Sequence, residues 1–242
     1  MAIADQHRPH RVDHHVNHRD VTGGWLRPAV FGVMDGLVSN VALVAGVAAA
    51  DPSNRVVLLA GVSGLLAGAF SMATGEYNSV RAQQEVTERE LTLERRELAR
   101  APDAEEAELA TIYRHKGLTP TLAKQVAKEL SADPEVAWRV HAREELGIDP
   151  DHLPSPWVAA GASFVSFALG ALVPLLAYIV GIANAFGIAL ALSGAALFCV
   201  GAAVSRFTGR SAIYTGARLL LLGAVAAGVT HLVGSAVGLG IT

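Results

Sequence analysis

Four glutamates, Glu94, Glu97, Glu105 and Glu108, stand inside the stretch LERRELARAPDAEEAEL (93–109). They form two E-x-x-E pairs on either side of Pro102-Asp103. At about 100° per residue, Glu94 and Glu97 lie about 60° apart on a helix and share a face. Glu90, four residues before Glu94, joins that face, and Glu105 and Glu108 pair likewise on a following helix. A fold-back at Pro102 lets the two faces meet, and carboxylates clustered that way repel unless a cation neutralises them. Two readings stay open. One is a set of hard oxygen ligands for a divalent metal, which His141 and Glu145, four residues apart on a later helix, could complete. The other is a solvated acidic face with Arg95, Arg96 and Arg100 as partners, and spacing alone favours it. Glu106 reads as a capping-box residue opposite an Asp103 N-cap.

The elements that must hold these residues follow from composition. The chain is 242 residues long, 52% hydrophobic and only 17% charged, against roughly 25% charged in globular domains. Charge is also segregated, since residues 81–151 carry 16 of the 22 acids and 11 of the 19 bases. The rest is apolar enough for spans of about 20 residues. Those are expected at Ala29–Ala50, Val56–Tyr77, 157–180, 184–205 and Ile213–Val237, with a turn at Gly181–Asn184. The fold class is therefore an all-α membrane protein of five transmembrane helices with a helical insert between the second and third. Its parts are a His-rich arm (1–28), helices one and two (29–80), the acidic insert (81–152) and helices three to five (153–242).

Span two reads as continuing without Gly or Pro to Ala99, where Pro102 stops it. Helices at about 104–116, 120–131 and from Pro134 to before Gly147 follow. Basic residues before span one, in the insert and around Arg206–Arg218 place the N-terminus and the insert in the cytosol and the C-terminus outside or in a lumen. Gly32/Gly36 and Gly64/Gly68 have G-x-x-x-G spacing, which fits close packing within the chain as well as a dimer seam.

Inside the spans, Asp35 and Glu76 are the acids, and a carboxylate at bilayer depth marks a pathway or a polar interior. Met72 precedes Glu76 by one turn, and a thioether beside carboxylates suits a borderline transition metal. Asn40 offers an amide oxygen near Asp35. Cys199, the one cysteine, reads as a buried packing thiol. His231 is either a proton carrier or a satisfied interior group. His7, His10, His14, His15 and His18 form a polar tail able to gather metal loosely. A net charge of −3 gives no indication of nucleic-acid binding. A ferritin-like di-iron oxidase wants Glu-x-x-His, and no histidine here has a glutamate three residues before it. The chain therefore does not read as an enzyme.

The strings GVMDGLVSNVALVAG (32–46), SMATGEYNSVRAQ (71–83), LERRELA and HKGLTPTLAKQVAKEL resemble the vacuolar iron transporter family, from about Arg27 to the C-terminus. The resemblance implies a homodimer that moves Fe²⁺ or Mn²⁺ out of the cytosol, with proton exchange, and holds no permanent cofactor. It implies that Asp35, Met72 and Glu76 line the pathway, to which the residue reading adds Asn40. It also implies that Glu94, Glu97, Glu105, Glu108 and Glu145 form a cytosolic metal site, and it turns the reading of the quartet from plain acidic face to ligands. His141-Ala142 stands where some members carry a Met pair, which keeps His141 as a secondary candidate, beside Glu90 from the helical spacing. The short, Ala-rich form points to a bacterial member in the plasma membrane; a eukaryotic one would sit in a vacuolar membrane. The alternative is a membrane-anchored metal-binding sensor or scaffold without transport.

Overall fold

The computed structural model describes residues 24–50 and 53–241, the side chains of 240 and 241 excepted. The N-terminal histidines lie outside the described residues. The chain runs through α1 (Leu26–Ala50), α2 (Asn54–Arg100), α3 (Pro102–His115), α4 (Pro120–Leu130), α5 (Pro134–Glu144) and α6 (Pro156–Leu172). A 3-10 turn (Val173–Leu175), α7 (Leu176–Val180), α8 (Ala185–Thr208) and α9 (Ala212–Ile241) complete it. No strand forms among the described residues.

Among the described residues, five helices are long and apolar enough to cross a membrane: α1, α2, the α6–α7 unit, α8 and α9. In lipid only a helix or a closed barrel satisfies every backbone group internally, so apolar runs of this length become helices. Pro174, which lacks an N–H, sits in the 3-10 turn that interrupts the third span. Gly181 and Asn184 take the left-handed conformation, and the Asn184 side chain accepts from the Gly187 amide to start α8.

The α1 helix packs against α6, α9, α2 and α8. Its contact with α6 is a backbone approach made possible by missing side chains on both helices. A Cβ on Gly36 would lie 2.2 Å from the Phe167 carbonyl oxygen, and one on Gly170 would lie 2.4 Å from that of Val33. Gly32 abuts Ser163 and Ser166 in the same seam. Asn40 Nδ2 donates to the Ala171 carbonyl at 2.6 Å. On the second helix, Gly68 accommodates the Phe167 ring and Gly64 accommodates Leu43. Both G-x-x-x-G pairs are thus used inside one chain. On the other side of α1, Thr230 Oγ1 donates to the Ala42 carbonyl at 2.7 Å.

Two expectations need correction. Cys199 is exposed on α8 rather than buried. One face of α8 is exposed, Leu192 included, and an apolar solvent leaves no reason to bury a thiol. Asp103 is also not a cap. Pro102 is already helical, at the first position of α3, and Ala101 occupies the cap position with φ −140° and no side-chain bond. Proline disfavours helical backbone in the residue before it, so Ala101 alone breaks two helices apart. Glu106 is therefore not paired with an Asp103 cap.

The helix α2 has 47 residues, about 70 Å at 1.5 Å per residue, while a bilayer core takes about 30 Å. The excess carries it into the polar insert, where α5 and α3 pack against it. Asp133 caps α5 by accepting from the amides of Glu135 and Val136. Lys116 pairs with Glu144 across the insert.

The seam between α1 and α6 generates a packing prediction. Gly36→Ala pushes a methyl group into backbone that cannot yield, at a cost of about 1–3 kcal/mol. Gly161→Ala, also on α6, meets nothing within 4 Å. Thermal unfolding in detergent should show a lowered midpoint for the first and none for the second; equal midpoints would contradict the seam.

Candidate metal centre

The insert brings four of the candidate ligands together. Glu94 from α2, Glu105 from α3, His141 from α5 and Glu145 at the end of α5 each present an atom within 4.8 Å of the others. His141 Nδ1 lies 3.1 Å from Glu94 Oε1, 3.4 Å from Glu145 Oε2 and 3.8 Å from Glu105 Oε2. The His141 side chain is fully buried and that of Glu94 is 3% exposed, whereas Glu145 faces solvent in part. Glu94 Oε1 and His141 Nε2 are buried without a hydrogen-bond partner. Buried polar atoms are nearly always paired, so each orphan calls for an explanation.

Local sequence explains the convergence. The Ala101–Pro102 break turns α3 back so that Glu105 reaches the Glu94 face. A clasp holds α5 on α2. Trp138 Nε1 donates to the Leu91 carbonyl at 3.0 Å, and Arg95 lies 4.2 Å from the Trp138 ring centroid. Arg95 also pairs with Glu135 at 2.9 Å. Trp138 precedes His141 by three residues, and Leu91 precedes Glu94 by three, so the clasp sits one turn from the cluster on both helices.

The other expected residues fall differently. Glu97 and Glu108 are exposed and outside the four-residue nest, yet their charges reach Glu94. Glu90 is exposed and also outside it. Arg95, expected as a partner of the acidic face, serves α5 instead. Trp138 was not singled out by sequence; a lone Trp in a polar helix was the available signal.

Burial raises the Glu94 carboxyl from 4.5 to about 7, helped by the charges of Glu145, Glu105, Glu97 and Glu108. Glu105 is raised as well, chiefly by burial, although His141 opposes the shift.

In the membrane, a cavity of about 380 Å³ is lined by Asp35, Ser39, Asn40, Leu43, Gly64, Gly68, Ser71, Met72 and Phe167. Asn40 is buried and its Oδ1 has no partner. Asp35, Asn40 and Met72 thus share one space. Glu76, half-buried one turn beyond Met72, is not in its lining. Ser39 and Ser71 are lining residues that sequence reading passed over. The His231 ring stacks on Phe186 at 5.8 Å and its Nδ1 lies 3.2 Å from the Ala45 carbonyl, contacts that fit either reading of this residue.

These features define a multi-pass, all-helical membrane protein whose second span carries an acidic helical unit. The VIT family model matches residues 26–235, and the chain belongs to that family. It is similar to a vacuolar iron transporter of Acanthamoeba castellanii, with 38% identity over 223 residues, 88% of this chain and 78% of the relative. It is likewise similar to vacuolar iron transporter 1 of Arabidopsis thaliana, with 32% identity over 221 residues, 89% of this chain and 87% of the relative. Vacuolar iron transporter 1 of Oryza sativa subsp. japonica is 30% identical over 231 residues, 95% of this chain and 92% of the relative.

The raised Glu94 carboxyl has a stability consequence with a definite sign. A folded-state value near 7 against 4.5 means the stabilising contribution is present below about 4.5 and lost as pH rises through about 7. Metal-free Glu94→Gln should therefore melt higher than the unsubstituted protein at about pH 8, and the gain should vanish by about pH 4. A lower melting point for the variant at pH 8 would refute the electrostatic account.

Proposed function

We propose that this protein transports divalent transition metal, Fe²⁺ or Mn²⁺, out of the cytosol in exchange for protons, as a homodimer. In this reading the insert and the N-terminus are cytosolic and the C-terminus lies on the far side. The host membrane is the plasma membrane in a bacterial cell and a vacuolar one in a eukaryotic cell. Glu94, Glu105 and Glu145 hold the ion, Glu97 and Glu108 draw it in, and His141 completes the nest. The arm's histidines and Glu90 add weaker capture. Asp35, Asn40 and Met72 form the membrane pathway, with Glu76 at its cytosolic mouth.

One observation carries the reading. A single helix, α2, bears Glu94 of the nest and Met72 of the intramembrane cavity. A buried orphan carboxylate oxygen at one end and an unpartnered amide oxygen at the other both lack what a cation supplies. The relatives named vacuolar iron transporter support iron as the cargo. Proton exchange rests on chemistry: carboxylates must release protons to take a metal, so binding and protonation compete.

The test is metal flux in proteoliposomes under a pH gradient. Fe²⁺ (kept anaerobic) and Mn²⁺ should accumulate against the gradient, and Asp35→Ala should abolish flux while leaving metal bound at the insert. Glu94→Gln removes a ligand and should weaken metal capture by at least the roughly 10- to 100-fold that loss of an outer-shell partner costs. Unimpaired flux in Asp35→Ala would sink the pathway assignment, and flux without any pH dependence would sink proton exchange.

A further inference from the structure

We infer that the α8–α9 hairpin carries a binding site for one anionic phospholipid, with the lipid phosphate on Arg218 and an acyl chain in the groove beside it. The site is separate from the nest in the insert and from the cavity that holds Asp35.

Charge at this hairpin is unbalanced. From Leu153 to Thr242 the chain has no Asp or Glu, yet it has Arg206, Arg210 and Arg218. All three arginines are exposed, and none joins an ion pair among the described residues. In the insert, by contrast, Arg81, Arg95, Arg139 and Arg143 each have a carboxylate within 4.0 Å. Arg218 lies six residues beyond the first residue of α9, about 9 Å along the helix axis. A cation at that depth in a span is costly without a counter-charge. The Tyr214 ring centroid is 5.9 Å from its guanidinium carbon, at the outer edge of the cation–π range, and a ring does not neutralise the charge.

The groove supplies the second half of the site. Arg218 lines a hollow of about 270 Å³ together with Met34, Val204, Thr215, Leu219 and Leu222. Its floor is the crossing of α8 and α9, where a Cβ on Gly201 would lie 2.6 Å from the Thr215 carbonyl oxygen. The two backbones are already in contact and cannot close further to fill the hollow. Thr215 Oγ1 is spent on the carbonyls of Ser211 and Ala212, so Arg218 is the lining side chain left to receive a polar ligand. One cation beside an apolar groove fits one anionic head with a hydrocarbon tail. A free anion would leave the groove unfilled, and a zwitterionic head would bring its own cation towards Arg206 and Arg210. A planar guanidinium also matches phosphate oxygens in pairs.

Position agrees with this ligand. Met34 is in the first half of α1, and Gly24, just before α1, abuts Pro154 at the close of the insert. The groove therefore lies towards the insert end of the spans. In the orientation proposed above that is the cytosolic leaflet, whose anionic lipids attract basic segments. Met34 also directly precedes Asp35, so a lipid seated here bears on α1 beside the pathway carboxylate.

The test is native mass spectrometry of the full chain in detergent, with phosphatidylglycerol and phosphatidylcholine of matched acyl chains as probes. One phosphatidylglycerol per chain should be retained in preference to phosphatidylcholine. Arg218→Gln should weaken that retention at least about five-fold, the worth of one basic residue at an anionic surface. Arg55→Gln, at the opposite end of the spans, should leave it unchanged. Arg218→Met takes the place of Arg218→Gln should the latter lose helical content. Glycerol phosphate, a head without tails, should not displace the lipid. Equal retention of the two lipids, or phosphatidylglycerol held equally by the Arg218 variant and the unsubstituted chain, overturns the site. Displacement by glycerol phosphate overturns the lipid assignment. All of these are read without metal, so their failure is distinct from failure of the transport reading.

Discussion

The unbroken hydrogen-bond ladder of α2 is the constraint on which the rest depends. Each residue from Asn54 to Arg100 is held at a fixed height and rotation relative to the next. Met72 and Glu94 are therefore about 33 Å apart along one axis, in a direction that cannot drift. A flexible linker between the membrane and the insert would give the two sites no common frame. Lipid demands helices for the spans; nothing in lipid demands that one of them continue far beyond the bilayer. Its continuation comes from a run of good helix formers with no Gly or Pro between Tyr77 and Arg100.

Packing around that rod follows two different rules. In the spans, burial of apolar area drives little, because lipid is as apolar as a side chain, and shape decides. Hence the contact between α1 and α6 is made of glycines and backbone oxygens, and Cys199 can face outward. In the insert, water returns as the solvent and amphipathic faces matter again. There Leu109, Ala110 and Ala127 form a small core, and the Trp138–Leu91 bond with its Arg95 cover seats α5.

What was legible in the sequence divides along the same line. The five spans, the long second helix, the turn at Gly181–Asn184 and the proline starts of α4 and α5 are local signals: apolar run length, missing breakers and fixed φ. The convergence of Glu94 and Glu105 was visible because a proline lies between them. The split of the quartet into a pair inside the nest and an exposed pair was not, since E-x-x-E spacing puts both members on one face and burial depends on how α5 docks. His141 ranked behind the glutamates because an i, i+4 pair with Glu145 is ordinary until a third helix is placed beside it. The Asp103 cap failed for a plain reason: Pro102 begins a helix as readily as it ends one.

The junction at Ala101 imposes a rule on length rather than on composition. One non-helical residue sets how α3 is turned relative to α2. Between Glu94 and Glu105 the chain counts out a rotation, and each residue added or removed there swings the α3 carboxylates by about 100°. Side chains from 98 to 101 can drift so long as the residue count between the two glutamates does not. A family sharing this arrangement would tolerate substitutions from 98 to 101 far more readily than a single insertion.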